Sequence, residues 1–151
     1  MAFTFFDHTG DIGVHLTGRT LDDLFCSAAH AFTESVSELR RVEPRRAIAL
    51  SLESTGLDLL LVDFLNEMLY HFETEQFLVA AVNVSVRAHS RDLGRERSYA
   101  LPAAALQAVL HGEPFDGQRH GMKVLIKAVT YHALEVREEA DGWHATVVFD
   151  V

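Results

Sequence analysis

Residues 124–151 read VLIKAVTYHALEVREEADGWHATVVFDV. Apolar and polar residues alternate through Val124–Val136 and again through Trp143–Phe149, and Ala140-Asp141-Gly142 separates the two runs. Alternation with a period of two puts one apolar row on each strand, and Asp-Gly between such runs signals a tight turn, so the stretch predicts an antiparallel hairpin. With Asp141-Gly142 as a two-residue turn, Ala140 faces Trp143, and counting back places Ala133 opposite Asp150 and His132 opposite Val151. Lys127 then lies about six residues further along, on the order of 20 Å at the rise of a strand. Only a different register or a fold-back brings it to Asp150. The second strand runs to Phe149-Asp150-Val151 at the last residue, which suggests that its end is held and adds anionic oxygens from Asp150 and the terminal carboxylate.

Working outward, the next strongest pattern is helical. After Ser54-Thr55-Gly56, residues Leu57, Leu60, Leu61, Phe64, Leu65, Met68, Leu69 and Phe72 leave only a narrow polar stripe, so this helix must be covered on more than half its circumference. Asp58, Asp63, Asn66, Glu67 and His71 interrupt the run, and a membrane span does not tolerate that many polar groups. An earlier helix carries one stripe through Leu21, Leu24, Phe25, Ala28, Ala29, Phe32 and Val36, opened by a capping pattern at Thr20 and Asp23. Alternation marks strands at Phe3–Leu16, broken by the turn His8-Thr9-Gly10-Asp11, at Ile48–Leu52 and at Phe77–Ala88. Arg91–Arg97, with Gly94, reads as an exposed turn. Leu106–Glu113 fits a strand, although Ala103–Ala105 equally suits a helical turn. The order predicts an α+β, two-layer fold: one mixed sheet packed against two main helices, with a C-terminal antiparallel hairpin.

The 151 residues carry no linker and no internal repeat, and 48% of them are hydrophobic, which suits a single domain over 1–151 with one core. Cys26 is the only cysteine, so no intrachain disulfide can form; it sits on the apolar face of the first helix, as a packed thiol does. Nothing before Asp7 has a basic region followed by a long apolar run, so a cytoplasmic location is expected. Twenty-two acidic against 13 basic residues give a formal charge of −9, a field that repels phosphate backbones and argues against direct, tight nucleic-acid binding.

The chemistry-bearing tract is Asp7-His8-Thr9-Gly10-Asp11-Ile12-Gly13. Two carboxylates supply hard oxygen ligands suited to Ca²⁺, Mg²⁺ or Mn²⁺, and the glycines let backbone come close; Asp, Thr and Gly are also ordinary turn residues. Lys127-Ala128-Val129-Thr130-Tyr131-His132 offers four polar tips in six residues, through either function or a solubilised sheet edge. Asn66-Glu67 and Glu73-Thr74-Glu75 read as the solvated side of the second helix. The sequence holds no metalloprotease histidine spacing, no phosphate loop and no serine elbow.

Four stretches together resemble the archease family: Asp7–Gly13, Phe64-Leu65-Asn66-Glu67-Met68-Leu69-Tyr70, Gly112-Glu113-Pro114-Phe115-Asp116 with Arg119-His120, and Lys127–His132 leading to the terminal Asp150-Val151. The resemblance spans essentially the whole chain. It implies an accessory protein, not an enzyme, that helps an RtcB-type RNA ligase become guanylylated and turn over repeatedly in tRNA splicing and RNA repair. It also implies a divalent metal ion, calcium favoured, held by Asp11, Asp150 and Val151, the last through its terminal carboxylate or main-chain oxygen. Asp7, His8, Lys127 and His132 become supporting or partner-facing residues. Gly10 stands where many members have alanine, and the chain ends in valine where isoleucine is usual; neither removes an oxygen ligand. An acidic accessory protein can approach the basic surface of an RNA ligase without competing for its RNA. Two other readings remain: a hydrolase or phosphotransferase that uses Asp7, His8 and Asp11 with a metal, or a general chaperone-like module that uses the apolar second helix.

Overall fold

The periodicities resolve into two helices and seven strands. In chain order these are β1 (Ala2–His8), β2 (Asp11–Gly18), α1 (Leu21–Val36), a 3-10 turn (Leu39–Arg41), β3 (Arg46–Ser54), α2 (Leu57–Glu75), β4 (Phe77–Ala88), β5 (Ala104–Pro114), β6 (Ala128–Glu139) and β7 (Gly142–Asp150). The computed structural model describes residues 2–88 and 103–151; the turn expected at Arg91–Arg97 lies outside the described residues. The alanines at 103–105 lead into strand rather than helix, because Ala104, Leu106, Ala108 and Leu110 form one buried row.

The α+β class, the two helices and the terminal hairpin are present, but the single mixed sheet is not. The strands divide into a four-stranded sheet, order β1-β2-β7-β6, and a three-stranded sheet, order β3-β5-β4. Every strand pair described is antiparallel. Both helices touch strands of both sheets. The physical reason is visible on α2, where Leu60, Leu61, Val62, Phe64, Leu65, Met68, Leu69 and Phe72 are all buried. One sheet can cover one side of a helix; covering more than half requires a second surface.

Helix α1 is stitched between the sheets by polar side chains. Thr20 caps its start, accepting from the Asp23 N–H at 3.1 Å, an interaction that typically contributes about 1 kcal/mol. The Ser27 hydroxyl donates to the Thr17 carbonyl of β2 at 2.7 Å, and the Thr33 hydroxyl donates to the Val79 carbonyl of β4 at 2.7 Å. Asp22 accepts from the Val86 N–H at 2.8 Å, and the Cys26 thiol faces the Val82 carbonyl at 3.6 Å. Burial pushes that thiol up from its ordinary value, as expected for a packed cysteine. These contacts occupy the free edge of β4, so the smaller sheet cannot continue into the larger.

The Gly112–Asp116 and Arg119-His120 stretch proves to be a buried ionic knot. The Glu113 carboxylate accepts from the Glu43 N–H at 2.7 Å, from His120 Nε2 at 3.0 Å and from Arg119. His120 Nδ1 accepts from the Asp116 N–H at 2.8 Å, which leaves the ring proton on Nε2, facing Glu113. Burial pushes the Glu113 carboxyl up, but the hydrogen bonds from Glu43, His120 and Arg119 outweigh it and hold the group at about 2.

Candidate metal centre

The turn Thr9-Gly10, with Gly10 at φ +74, returns the chain from β1 to β2 so that His8 pairs with Asp11. On its other side β2 pairs with β7, and there Asp11 faces Asp150. Because opposed residues share a face, His8, Asp11, Asp150 and then Ala128 of β6 form one row across the outer face of the four-stranded sheet. The inner face carries Val14, Leu16, Ala145, Val147 and Phe149 into the core. Core packing thus fixes the register that sets the two carboxylates opposite each other; a slip of either strand by one residue would turn its carboxylate inward.

The hairpin differs from its sequence reading. Glu139 pairs with Gly142, so the two-residue turn is Ala140-Asp141 rather than Asp141-Gly142. Register then breaks between Thr130 and Glu135: Tyr131, His132, Ala133 and Leu134 stand against Val147 alone. Asp150 therefore faces Ala128, not Ala133, and the expected opposition of His132 and Val151 does not occur. Thr130 anchors the departure, its hydroxyl donating to the Val148 carbonyl at 2.9 Å and accepting from the His132 N–H at 3.2 Å. Ala133 completes the bulge with φ +54.

The excursion rearranges the site residues. It carries His132 across β7 and β2 to His8, with ring centroids 4.5 Å apart. It also brings Lys127 to the row by its backbone: the Lys127 N–H donates to the Asp150 carbonyl at 2.7 Å, while its side chain is exposed. Asp7 goes the other way. Paired with core-facing Ile12, it lies on the opposite face of β1 and lines an open groove of roughly 560 Å³ with Phe5, Glu34 and Lys123. Val151 follows Asp150 half-buried against the core. The structure thus brings His8, Asp11, Asp150, Val151, His132 and the Lys127 backbone to one corner, and leaves Asp7 outside it.

Sequence reasoning missed the residues that support this corner. Phe6 lies over Gly13, where a Cβ would collide with its ring, and stacks on His15 at 4.4 Å between centroids. His15 Nδ1 in turn meets the Thr146 hydroxyl at 3.1 Å. Only the pairing of Gly13 with Phe6 and Val148 explains that glycine; the sequence shows it merely as part of a turn.

The donor set fits a hard divalent cation. Two carboxylates on directly opposed strand positions repel each other, and oxygen ligands of this kind suit Ca²⁺, Mg²⁺ or Mn²⁺. Among the described residues no Lys or Arg pairs with Asp11 or Asp150; the nearest recorded partner is His8 Nδ1, 3.6 Å from Asp11 Oδ2. That nitrogen is buried and has no hydrogen bond. One trio of His, Asp and Glu side chains does converge among the described residues, with ligand atoms within 4.8 Å of one another: Glu139, Asp141 and His144 at the far end of β7. There the charges are already matched. Arg137 donates to Glu139 at 2.6 Å, and His144 bonds Asp141 at 2.8 Å and lies 3.2 Å from Glu139.

Comparison with known proteins agrees with the fold and the motifs. Among the described residues no helix is long and apolar enough to cross a membrane. A protein archease of Pyrobaculum islandicum is 34% identical over 146 residues, covering 96% of this chain and 92% of that protein. One from Methanosarcina barkeri is 33% identical over 150 residues, covering 99% and 95%. The solution structure of Methanobacterium thermoautotrophicum protein 1598 matches with a TM-score of 0.74 at 27% identity, over 99% of this chain and 98% of that one. A Thermotoga maritima archease, described as a "possible chaperone", shares the fold at a TM-score of 0.61 and 17% identity, over 97% and 94%. The model of the Archease protein family (MTH1598/TM1083) matches residues 3–151, and the chain belongs to that family.

Proposed function

We propose that this chain is a metal-carrying accessory protein, not itself an enzyme, that activates an RtcB-type RNA ligase by promoting its guanylylation and repeated turnover in tRNA splicing and RNA repair. The observation that carries the reading is the direct opposition of Asp11 and Asp150 with no lysine or arginine paired to either among the described residues. Asp11, Asp150 and Val151, the last through its terminal carboxylate or main-chain oxygen, would hold the ion, with calcium favoured. When bound, such an ion supplies a fixed positive charge at a protein surface. The chain's own residues do the rest: His8 and His132 wall one side of the row, Thr130 holds the bulge that carries His132 there, and the Lys127 amide fixes the Asp150 main chain. The formal charge of −9 favours a basic protein surface over RNA as the contact.

The test is ligase guanylylation with the cognate ligase, GTP and metal, with wild-type protein and with Asp11→Ala or Asp150→Ala. The wild type accelerates the step and both variants lose the acceleration while staying folded. Unchanged acceleration by the variants removes the site. Turnover of a phosphoester by the isolated protein with metal would favour the hydrolase reading instead, and binding to unfolded clients indifferent to chelator would favour the chaperone-like one.

A further inference from the structure

Among the described residues the two sheets have four outer edges, and three of them are guarded. The edge of β4 is occupied by α1, through Asp22 on the Val86 N–H and Thr33 on the Val79 carbonyl. β6 bulges at Tyr131–Leu134 and carries Glu135, Arg137, Glu138 and Glu139. β3 has Arg46 and Glu53 near its ends and only small exposed residues, Ala47, Ala49 and Ser51, between them. Charges, bulges and covering elements are how proteins stop a free strand edge from pairing with another chain.

Among the described residues β1 has no bulge and no hydrogen-bonded covering element, and its one formal charge is Asp7. Its sequence, Ala2-Phe3-Thr4-Phe5-Phe6-Asp7-His8, contains no lysine, arginine or proline, and its pairing with β2 is regular along all seven residues. Among the described residues it has one neighbour, β2, its other edge is unpaired, and no backbone hydrogen bond beyond that ladder involves residues 2–8. Beside it runs the groove lined by Phe5, Phe6, Asp7, Ile12, Glu34 and Val124. Phe5 is 40% exposed there, and the segment that contributes Val124 also exposes Met122 at 44% and Leu125 at 58%. Among the described residues, Lys123 is the one cation on the groove and is already paired with Glu34 at 2.8 Å, which leaves the Asp7 carboxylate as the charge there with no ion-pair partner.

We infer that β1 accepts an extended strand of a partner protein, one that alternates apolar and basic residues, as an added fifth strand of the larger sheet. Main-chain hydrogen bonds to the free edge provide the attachment, and alternate side chains enter the groove over Phe5 and Val124, as in other strand-addition complexes. Charge selects the occupant. A second copy of this chain would bring another −9 to the same edge, whereas a lysine- or arginine-bearing strand meets Asp7 and the acidic field with complementary sign. The proposal stands whether or not a metal binds at Asp11.

The experiment follows amide hydrogen exchange at residues 2–8 of the full chain while adding an end-capped ten-residue peptide of alternating valine and lysine. The expected result is at least about tenfold slower exchange at alternate β1 amides, with no slowing from a valine–glutamate peptide or from a valine–lysine peptide whose alternate amides are N-methylated. Phe5→Lys, which places a guard charge on a partly exposed position of the edge, is expected to stay folded, with the β2 amides still protected, and to lose the effect. Unchanged β1 exchange at millimolar peptide overturns the inference, as does equal protection by the glutamate or N-methylated peptides. Protection that grows with protein concentration in the absence of peptide also overturns it, because the occupant is then a second copy.

Discussion

The two ends of β7 carry carboxylates in opposite electrical settings. At the hairpin end, Glu139 and Asp141 are met by Arg137 and His144, and the His144 hydrogen bond holds the Asp141 carboxyl below the usual range. At the other end, Asp150 faces Asp11 and neither has a lysine or arginine partner among the described residues. Proximity of carboxylates alone would choose the hairpin, where three ligand atoms already converge. Charge balance favours the other end as the proposed metal site, because a cluster that supplies its own cations gains little from another one. Glu113 is the buried extreme of the first kind, matched by Arg119, His120 and the Glu43 amide.

The largest expected effect tests that extreme. Glu113→Ala leaves Arg119 and His120 without their buried acceptor and should destabilise the protein by about 3–5 kcal/mol, measured by urea unfolding. The pH dependence has a definite sign. The folded-state value of about 2 lies below the ordinary 4.5, so the knot's contribution is fully present above pH 4.5 and is lost as pH falls from there toward 2. A wild-type midpoint flat across that window, or a Glu113→Gln protein that loses stability just as steeply there, would contradict the assignment.

An intermediate effect is expected at the bulge. Thr130→Val removes the hydroxyl that satisfies both the Val148 carbonyl and the His132 N–H, with an expected loss of about 1–3 kcal/mol. It should also free the Tyr131–Leu134 excursion, seen as a loss of nuclear Overhauser contacts between the His8 and His132 rings. Rings that stay together in the variant would show that the bulge is held by something else.

The smallest effects belong to the hairpin. Its ion pairs are exposed, Asp141 at 72% and Glu139 at 43% of their side-chain area, and water and salt screen such pairs until they contribute little. Asp141→Asn and His144→Ala should each barely move the urea midpoint, by the same amount with or without calcium. A calcium-dependent difference at these positions would break the contrast between the two ends.

How much of this was legible depended on distance along the chain. Period-two and period-three-to-four patterns located α1, α2, β4, β5 and β7 because each reports on its own few residues. The narrow polar stripe of α2 required cover over more than half its circumference, and one sheet cannot cover so wide an apolar face. The bulge was not legible: Tyr131-His132-Ala133-Leu134 has no glycine or proline, and its left-handed residue is an alanine that satisfies the same alternation as a regular strand. The bulge, together with the turn at Ala140-Asp141 in place of Asp141-Gly142, is why counting back put Ala133 where Ala128 belongs. The Asp11–Asp150 opposition is set by β2 pairing with β7, which no local pattern encodes. Family resemblance, not periodicity, joined those two residues beforehand. The Glu113 motif was visible as letters, but its meaning depended on the Glu43 main chain seventy residues away.

The central claim is that Asp11 and Asp150 are opposed for the sake of a cation, and the stability of Asp11→Asn with and without calcium tests it most directly. Without metal, the substitution removes a repulsion between directly opposed like charges and should raise unfolding free energy by about 0.2–1 kcal/mol. With calcium at a hundredfold its dissociation constant, the wild type alone gains about 2.7 kcal/mol from binding, so the variant becomes the less stable protein. The account predicts this reversal of sign. A change of the same sign in both conditions, or a calcium gain equal in wild type and variant, would contradict it.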